Sequence, residues 1–253
     1  MIPLTSNALS SVELIATDMD GTLTNKGKFT AELLTALESL VVKDITVLIV
    51  TGRSAGWVSA IANYLPIAGA IAENGGIFYN NQDRSSELIT NLENIENHRS
   101  KLKEVFQLLQ SKFPEIKESI DNSFRITDWT FDIGELNPSQ LEIMHSICKE
   151  AGMGFTYSTV QCHIKPQQQD KALGLQQILN KHFQDISPQQ IVTVGDSPND
   201  ESLFNSDYFP LSVGVANITD YSDRLQHQPT YVTTLSEAEG FCELIRTLTK
   251  AKS

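Results

Sequence analysis

The stretch DMDGTLT, residues 18–24, directly follows the apolar run VELIAT, residues 12–17. The apolar run predicts a short buried strand, and the carboxylates of Asp18 and Asp20 come at its carboxyl end. Open α/β sheets place their ligand crevices at this end of their strands. Because two carboxylates this close repel each other, the site requires full solvation, a bound cation or a proton held by one of them.

Two structural alternatives exist for DMDGTLT. An EF-hand calcium loop also opens with alternating acidic residues, but it needs glycine at its sixth position and glutamate at its twelfth. Here Gly21 is the fourth residue and Phe29 is the twelfth, which excludes that loop. A solvated acidic turn is the second alternative. In the functional interpretation, Mg²⁺ keeps Asp18 ionised and reduces the repulsion, and Asp20 carries the proton.

The composition is that of an ordinary globular protein. The chain has 253 residues, 40% hydrophobic and 20% charged, which is enough to bury a sizeable core. The formal net charge of −12 argues against nucleic acid or an anionic membrane as the main partner. The three widely spaced cysteines indicate buried free thiols, and there is no signal-peptide pattern or long apolar run. We expect a cytoplasmic monomer or homodimer.

Strand and helix patterns alternate in the first and last parts of the chain. The continuous apolar run ITVLIV, residues 45–50, is typical of a strand covered on both faces of a parallel sheet. Strand–helix–strand spacing of this kind predicts right-handed βαβ units. We expect an α/β fold with a doubly wound parallel-sheet core formed by residues 1–82 and 165–253, in which residues 1–10 are a loose tail.

The middle of the chain has a different pattern. After a polar segment, a helix is expected over residues 98–112, followed by the strands SFRIT (123–127) and WTFDI (129–133). A second helix begins at Pro138, and two more strands follow it. We expect this α-β-β-α-β-β segment, residues 83–164, to form an inserted α+β cap domain with an antiparallel sheet.

A second strand end carries groups suited to an anion. In VTGRS, residues 50–54, the Thr51 hydroxyl and the Gly52 N–H are donors at a helix N-terminus, where phosphate groups bind well. Arg53 is available to a substrate anion. The structural alternative is a plain strand-to-helix turn in which Ser54 is the N-cap.

The stretch GDSPND, residues 195–200, again joins a strand to a helix. Helix capping accounts for most of it but leaves Asp196 unexplained, a further carboxylate at the end of a strand. Asp196 and Asp200 supply oxygen ligands for a hard, hydrated cation. Lys171, near a helix start, is either a surface residue or the charge that balances Asp18 and a phosphate.

In this order, DMDGTLT, TGR, Lys171 and GDSPND resemble the four motifs of the haloacid dehalogenase superfamily of phosphohydrolases. The insertion between the second and third motifs resembles the type IIB cap of Cof-type sugar-phosphate phosphatases. The stretch AENGG, residues 72–76, also resembles that subgroup. Around Lys171, QQQDKALG departs from the family's glycine-rich lead-in and Lys-Gly pair.

The resemblance implies an Mg²⁺-dependent phosphomonoester hydrolase that acts through an aspartyl-phosphate on a small phosphorylated metabolite, such as a sugar phosphate. It implies that Asp18 is the nucleophile and Asp20 the general acid and base. The implied metal ligands are Asp18, Asp20, Asp196 and Asp200. The implied phosphate or substrate contacts are Gly21, Thr51, Gly52, Arg53, Lys171 and Asn199.

Two other functions remain open from the sequence. A phosphomutase of the same fold would carry the same motifs, and a non-enzymatic phospho-receiver would also form an aspartyl-phosphate on a doubly wound sheet. Receivers are much shorter than this chain, which favours the enzyme. The cap residues expected to contact the leaving group are Arg125, Trp129, His163 and Lys165.

Overall fold

The computed structural model describes residues 1–252, apart from the side chain of Ser6. In this part of the chain the strands form one large sheet and one small sheet. The strands of the large sheet are β1 (Ile2–Pro3), β2 (Leu14–Thr17), β3 (Thr46–Val50), β4 (Gly69–Ala72), β5 (Ile77–Asn80), β6 (Ser86–Leu88), β10 (Ile191–Gly195), β11 (Ser212–Gly214) and β12 (Tyr231–Val232). Those of the small sheet are β7 (Trp129–Asp132), β8 (Met153–Tyr157) and β9 (Gln161–Pro166).

The large sheet has the order β1-β12-β11-β10-β2-β3-β4-β5-β6. Its strands are parallel except at one edge, where β4, β5 and β6 pair in an antiparallel manner. All four residues of the central strand β2 are buried, because helices cover both faces of the sheet. The parallel α/β core that the sequence predicts is confirmed.

Six α-helices accompany the strands in residues 1–252. They are α1 (Ala31–Val42), α2 (Ala55–Tyr64), α3 (Ile95–Lys112), α4 (Pro138–Glu150), α5 (Lys171–His182) and α6 (Glu237–Ala251). One apolar core of the large sheet includes residues of α1, α2 and α6, and a second core on the same sheet includes residues of α5. A third core joins α3 and α4 to the small sheet. No helix in the described residues has the length and apolar character that crossing a membrane requires.

The inserted segment differs at its edges from the expected range of 83–164. β6 falls inside that range but pairs with β5 in the large sheet, and β9 extends to Pro166. The polar stretch before β6 is a hairpin turn, because the Asp83 carboxylate accepts the Ser85 N–H at 2.9 Å and Arg84 has a φ of +57°. Polarity alone did not distinguish this turn from a linker.

The expected strand at residues 123–127 does not form. Ile120–Phe124 is a 3₁₀-helix, and the N–H groups of Ile126 and Thr127 donate to the Glu73 carboxylate at 3.0 and 2.6 Å. Backbone donors that a side chain engages are not available to a neighbouring strand. The insertion is therefore α-β-α-β-β, and its antiparallel sheet has the strand order β7-β9-β8.

The expected loose tail at residues 1–10 is also ordered. β1 adds a parallel edge strand beside β12, and a 3₁₀-helix follows at Ser6–Leu9. Leu9 is fully buried in the main apolar core. Leu4 and Ala8 are partly buried against the same core, and apolar residues at positions 4, 8 and 9 do not form the repeating pattern of a long helix or strand.

Glu73 ties the inserted segment to the core. Its carboxylate is buried and accepts hydrogen bonds from the N–H groups of Ala55, Ile126 and Thr127 and from the Thr127 hydroxyl. It thereby caps α2, for which Ser54 was expected. Ser54 occupies the N-cap position but its side chain makes no capping hydrogen bond. Burial, then the charge of Asp128, raises the pKa of Glu73 above its ordinary value, although Arg125 and the backbone donors oppose this.

We predict that Glu73→Ala lowers the free energy of unfolding by about 3 kcal/mol, because several buried donors lose their acceptor together. Urea denaturation measures this loss. The matched control is Glu243→Ala, since Glu243 accepts the N–H groups of Thr234 and Leu235 in solvent-exposed contacts where water replaces it. We expect the control to lose less than about 1 kcal/mol. Equal losses in the two variants would contradict the structural role of Glu73.

Candidate active site

The loops after β2, β3 and β10 meet at the carboxyl-terminal edge of the large sheet, where its parallel strands end. These three strands are neighbours, so their ends lie side by side. Each strand is followed at once by a polar residue. Asp18 comes directly after β2, Thr51 after β3 and Asp196 after β10. The structure therefore brings three of the four predicted motifs together, and α5 carries the fourth.

Three carboxylates surround one ammonium at this edge. One carboxylate oxygen from each of Asp18, Asp196 and Asp200 lies within 4.8 Å of the others. Lys171 Nζ lies 2.5 Å from Asp18 Oδ1 and 2.6 Å from Asp200 Oδ1. All four side chains are buried. Lys171 is thus not a surface residue of its helix: it is the charge that faces Asp18.

The electrostatics of this cluster are unbalanced. Burial, followed by the nearby Asp200 charge, raises the pKa of Asp18 to about 7, although Lys171 opposes this shift. Burial and the charges of Asp18 and Asp200 raise the pKa of Asp196 well above its ordinary value. Burial disfavours the Lys171 ammonium, but Asp18 and Asp200 outweigh it and raise the pKa of Lys171. Lys171 is therefore charged at every physiological pH.

The cluster fits a divalent cation. If all three carboxylates are ionised, they and the one ammonium give a net charge of −2 inside the protein. Carboxylate and carbonyl oxygens are the ligands that a hard cation such as Mg²⁺ prefers. The Asp20 carbonyl oxygen accepts no backbone hydrogen bond in the described part of the chain, so it is a further available oxygen. The residues that could hold the ion are Asp18, Asp196, Asp200 and, through its carbonyl, Asp20.

Asp20 lies apart from the three-carboxylate cluster and faces Arg53. Arg53 Nε is 2.7 Å from Asp20 Oδ2, and Nη2 is 2.6 Å from Oδ1, a bidentate ion pair that remains partly exposed. The hydrogen bonds that Arg53 donates to Asp20 outweigh burial and raise the pKa of Arg53. The two carboxylates of DMDGTLT therefore have different partners, Lys171 for Asp18 and Arg53 for Asp20. Arg53 is engaged with Asp20 instead of being free for an anion.

Asp196 is held by side chains from two other loops. The Thr22 hydroxyl donates to one of its oxygens at 3.0 Å, and Asn217 Nδ2 donates to the other at 2.9 Å. Gly21 packs against the same carboxylate: a Cβ there would lie 2.4 Å from Asp196 Oδ2. The Gly21 N–H donates to Thr24 Oγ1. Gly21 thus leaves room for Asp196, and its contact with a phosphate stays a prediction.

Asp200 stabilises the loop that carries Asp196. Its Oδ2 accepts the N–H groups of Asp196 and Ser197 at 3.0 and 3.1 Å, and its Oδ1 accepts Lys171. Both oxygens therefore already have protein partners. Asp196 likewise has a protein donor on each oxygen, whereas the partner of the Asp18 carboxylate, Lys171, engages only Oδ1.

Polar donors lie beside the carboxylates. Thr51 and Asn199, both predicted phosphate contacts, line a small cavity together with Asp18. Asn199 Nδ2 donates to Asn74 Oδ1 at 3.2 Å. The other end of the Asn74 amide, Nδ2, is buried and has no hydrogen-bond partner among the described residues. An unpaired buried donor is costly, so it indicates that a ligand atom is missing from this place.

The inserted segment closes the cavity. Its lining adds residues of β9 and of the turn before it to residues of the core loops: Ser158, Val160, Gln161 and His163. The cavity measures about 20 Å³, which is close to the roughly 15 Å³ that a single water molecule needs. This cavity, between the inserted segment and the core loops, therefore has room for little more than one water molecule.

Of the four cap residues expected to face the leaving group, only His163 lines this cavity. The Arg125 side chain is fully buried and paired with Asp121 and Asp128. The Trp129 ring packs under the Arg99 guanidinium at 4.5 Å. Lys165 donates to the Gln169 carbonyl and lines a different cavity. Arg125, Trp129 and Lys165 therefore do not line this cavity, and their contact with a leaving group stays a prediction.

Several site residues were missed from the sequence. Glu73 and Asn74 stand in AENGG, where both have a φ of +54°, and this strained turn brings Asn74 to Asn199. Asn217 follows the parallel strand β11, so its position after a strand was the available signal. Thr22 lies inside DMDGTLT itself but contacts a carboxylate 174 residues away. Such a partner has no sequence signal.

Comparison with known proteins agrees with this geometry. The family model of haloacid dehalogenase-like hydrolases matches residues 15–116 and 87–245. A phosphoglycolate phosphatase from Methanothrix thermoacetophila is 28% identical over 240 residues, which cover 92% of this chain and 96% of that protein.

Two solved structures share the fold. One, from Thermoplasma acidophilum, has a TM-score of 0.76 and 23% identity and covers 94% of this chain and 98% of its own. The sucrose-phosphatase of Synechocystis, solved in complex with sucrose and phosphate, has a TM-score of 0.68 and 17% identity and covers 93% and 97% of the two chains.

These matches confirm the predicted family, the predicted fold class and the prediction of a phosphatase. The family model spans both the core loops that carry the acidic cluster and the inserted segment that closes over them. With its four motifs assembled at one sheet edge, this chain belongs to the family of haloacid dehalogenase-like hydrolases.

Proposed function

We propose that this chain is an Mg²⁺-dependent phosphomonoester hydrolase that acts through an aspartyl-phosphate on Asp18. The observation that carries the proposal is the buried cluster in which Lys171 lies between Asp18 and Asp200, with Asp196 beside them. A merely structural site would not keep a surplus of buried negative charge, because desolvation makes it costly. A phosphoryl-transfer site needs this surplus to hold its cation.

Asp18 and Asp196 would hold the metal, with the Asp20 carbonyl and Asp200 as further oxygen ligands. When bound, Mg²⁺ supplies positive charge that neutralises the oxygens of the transferring phosphoryl group. The unbalanced charge of the cluster supports this assignment.

Asp18 acts as the nucleophile. One of its carboxylate oxygens forms a bond to phosphorus while the bond from phosphorus to the ester oxygen breaks, which divides one difficult displacement into two steps. Water then attacks phosphorus, releases inorganic phosphate and restores the Asp18 carboxylate. The ion pair with Lys171 orients Asp18 for this attack. The hydrogen-bond donors for the phosphoryl oxygens are Lys171, Thr51, Asn74 and Asn199.

Asp20 acts as general acid and then as general base. It gives a proton to the departing ester oxygen and later takes one from the attacking water. A protonated Asp20 requires its ion pair with Arg53 to open. The dianionic phosphate of an entering substrate competes for Arg53, so substrate binding itself releases Asp20 for this role.

The substrate is a small phosphorylated metabolite. The curated relative acts on phosphoglycolate, and the resemblance to Cof-type phosphatases favours a sugar phosphate. Movement of the inserted cap admits the ester, and its return excludes bulk water. We propose residues 89–166 as this cap and place the protein in the cytoplasm.

The first prediction from the proposed function concerns the nucleophile and the metal. We expect phosphate release from p-nitrophenyl phosphate in the presence of Mg²⁺, and its loss in EDTA. Asp18→Asn lowers kcat by at least about 1,000-fold, because amide nitrogen and oxygen do not replace the carboxylate nucleophile. Glu201→Gln, a change of a more exposed acid on the same 3₁₀-helix as Asp200, is the control and retains activity. An active Asp18→Asn protein would refute the mechanism.

The second prediction separates the two steps. p-Nitrophenolate leaves without a proton, whereas hydrolysis of the aspartyl-phosphate still needs a base. Asp20→Asn should therefore release a burst of about one p-nitrophenolate per enzyme and then turn over at least about 100-fold more slowly than the wild type. Rapid-quench kinetics and intact mass measure the burst and the trapped phosphate. Undiminished steady-state turnover by this variant would exclude Asp20 as the acid and base.

The third prediction concerns stability and pH. The pKa of Asp18 is raised from 3.8 to about 7, so the metal-free folded state binds the extra proton and loses stability as the pH rises between these values. Mg²⁺ should reverse this loss, by about 2.7 kcal/mol at 100 times its Kd, and more at pH 8 than at pH 5 because protons compete for the same oxygens.

Thermal unfolding with Mg²⁺ or with EDTA measures this effect. Asp196→Asn is the informative variant: it should raise the Tm of the metal-free protein at pH 8, since one buried charge is removed, and should lose most of the Mg²⁺ effect. A lower metal-free Tm together with an unchanged response to Mg²⁺ would place the cation elsewhere.

A further inference from the structure

His163 stands at the cap side of the small cavity, opposite the two carboxylates of DMDGTLT. It lies on the middle strand of the small sheet and is buried, and it lines the cavity together with Asp18 and Asp20. The Cε1–Nε2 edge of its ring lies against the loop after β3: a Cβ on Gly52 would be 3.0 Å from Cε1 and 3.1 Å from Nε2. His163 is thus the titratable cap side chain nearest to the ester that we propose as substrate.

The other ring nitrogen is fixed by a buried carboxylate. His163 Nδ1 lies 2.9 Å from Asp128 Oδ2. Arg125 Nη1 holds the same carboxylate at 2.9 and 3.1 Å and also donates to the Gly52 carbonyl at 2.9 Å. Burial alone would raise the pKa of Asp128, but Arg125 and His163 together hold it below its ordinary value. An ionised carboxylate only accepts hydrogen bonds, so the ring nitrogen that faces Asp128 must carry a proton. This places the proton of the neutral ring on Nδ1.

Nε2 therefore presents its lone pair. Burial, supported by the positive charges of Arg125 and Lys171, lowers the pKa of His163 although Asp128 opposes this, so the ring is neutral. Among residues 1–252, no hydrogen bond to Nε2 is formed, and the neighbouring cavity residue Gln161 is committed to Arg125 and Asp121. The cap side of the cavity thus offers an acceptor that has no donor.

We propose that His163 Nε2 accepts a hydrogen bond from a hydroxyl group on the leaving group of the substrate, and that it thereby selects phosphate esters of polyols or sugars. A hydroxyl donates to this lone pair, whereas a carboxylate at the same position has only acceptors and is repelled. Asp128 and Arg125 act as positioning residues that keep the acceptor face of the ring toward the cavity. The proposal rests on the proposed phosphatase function and specifies its substrate class.

The test compares three esters of matched size: 2-hydroxyethyl phosphate, ethyl phosphate and 2-phosphoglycolate. The hydroxyl oxygen of the first and the carboxylate oxygens of the third are three bonds from the ester oxygen, and ethyl phosphate has no polar atom at that position. We expect kcat/KM for the hydroxyethyl ester to exceed that for the ethyl ester by about 10- to 100-fold, because a buried polar group discriminates strongly against an analogue that leaves it unpaired. Phosphoglycolate should fall below the ethyl ester.

His163→Ala should reduce the hydroxyethyl-to-ethyl ratio to within about threefold of unity. The control is His145→Ala, which changes an exposed cap histidine on α4 that lines none of the described cavities around Asp18 and should keep the wild-type ratio. A wild-type preference for phosphoglycolate, with p-nitrophenyl phosphate still hydrolysed through Asp18, would overturn the inference and leave the proposed function intact. A ratio unchanged by His163→Ala would overturn it as well.

Two measurements do not depend on turnover. In ¹⁵N-labelled protein at neutral pH, His163 should show a protonated Nδ1 and an unprotonated Nε2, and the opposite tautomer or a doubly protonated ring would overturn the proposal. Calorimetric titration of Asp18→Asn with the same three esters should give the tightest binding for 2-hydroxyethyl phosphate. If no ester is turned over but this order of affinities holds, the proposed function fails and the subsite stands. If the order is absent, the subsite fails.

Discussion

The ion pair of Lys171 with Asp18 and Asp200 is the interaction on which the rest of the site depends. It joins the end of β2, the start of α5 and the 3₁₀-helix after β10, three parts of the chain that are far apart in sequence. One ammonium faces three buried carboxylates, and burial together with the charges of the neighbouring carboxylates raises the pKa of Asp18 and of Asp196. Such a cluster carries an electrostatic cost that folding must offset, which is the physical basis of the cation that we propose for it.

Buried carboxylates also link the cap to the core, because each accepts hydrogen bonds from more than one part of the chain. Glu73 accepts donors from α2 and from the cap segment at Ile126 and Thr127, and Asp128 joins Arg125 to His163. Arg125 in turn donates a hydrogen bond to the Gly52 carbonyl in the loop after β3. The inserted segment is thus joined to the core through buried polar groups around Glu73 and around Arg125.

Much of the fold could be predicted because it follows from local pattern. Continuous apolar runs identified β2 and β3, and helical spacing identified most helices, since burial on both faces or on one stripe leaves a periodic signal. The predictions failed where a distant partner decided the outcome. The strand expected at 123–127 is absent because Glu73 engages its backbone donors, and β6 joins the large sheet because Arg84 and Asp83 form a hairpin turn.

For the site, the sequence by itself determined which side chains end the parallel strands, because chain order and strand register place Asp18, Thr51 and Asp196 at one edge. Only the tertiary structure decided their partners. Lys171 faces Asp18, Arg53 faces Asp20 and His163 faces the cavity because of distances across the fold, and such distances leave no spacing rule in the chain. Strand ends are a local property of a sequence, whereas charge pairing is a property of the folded whole.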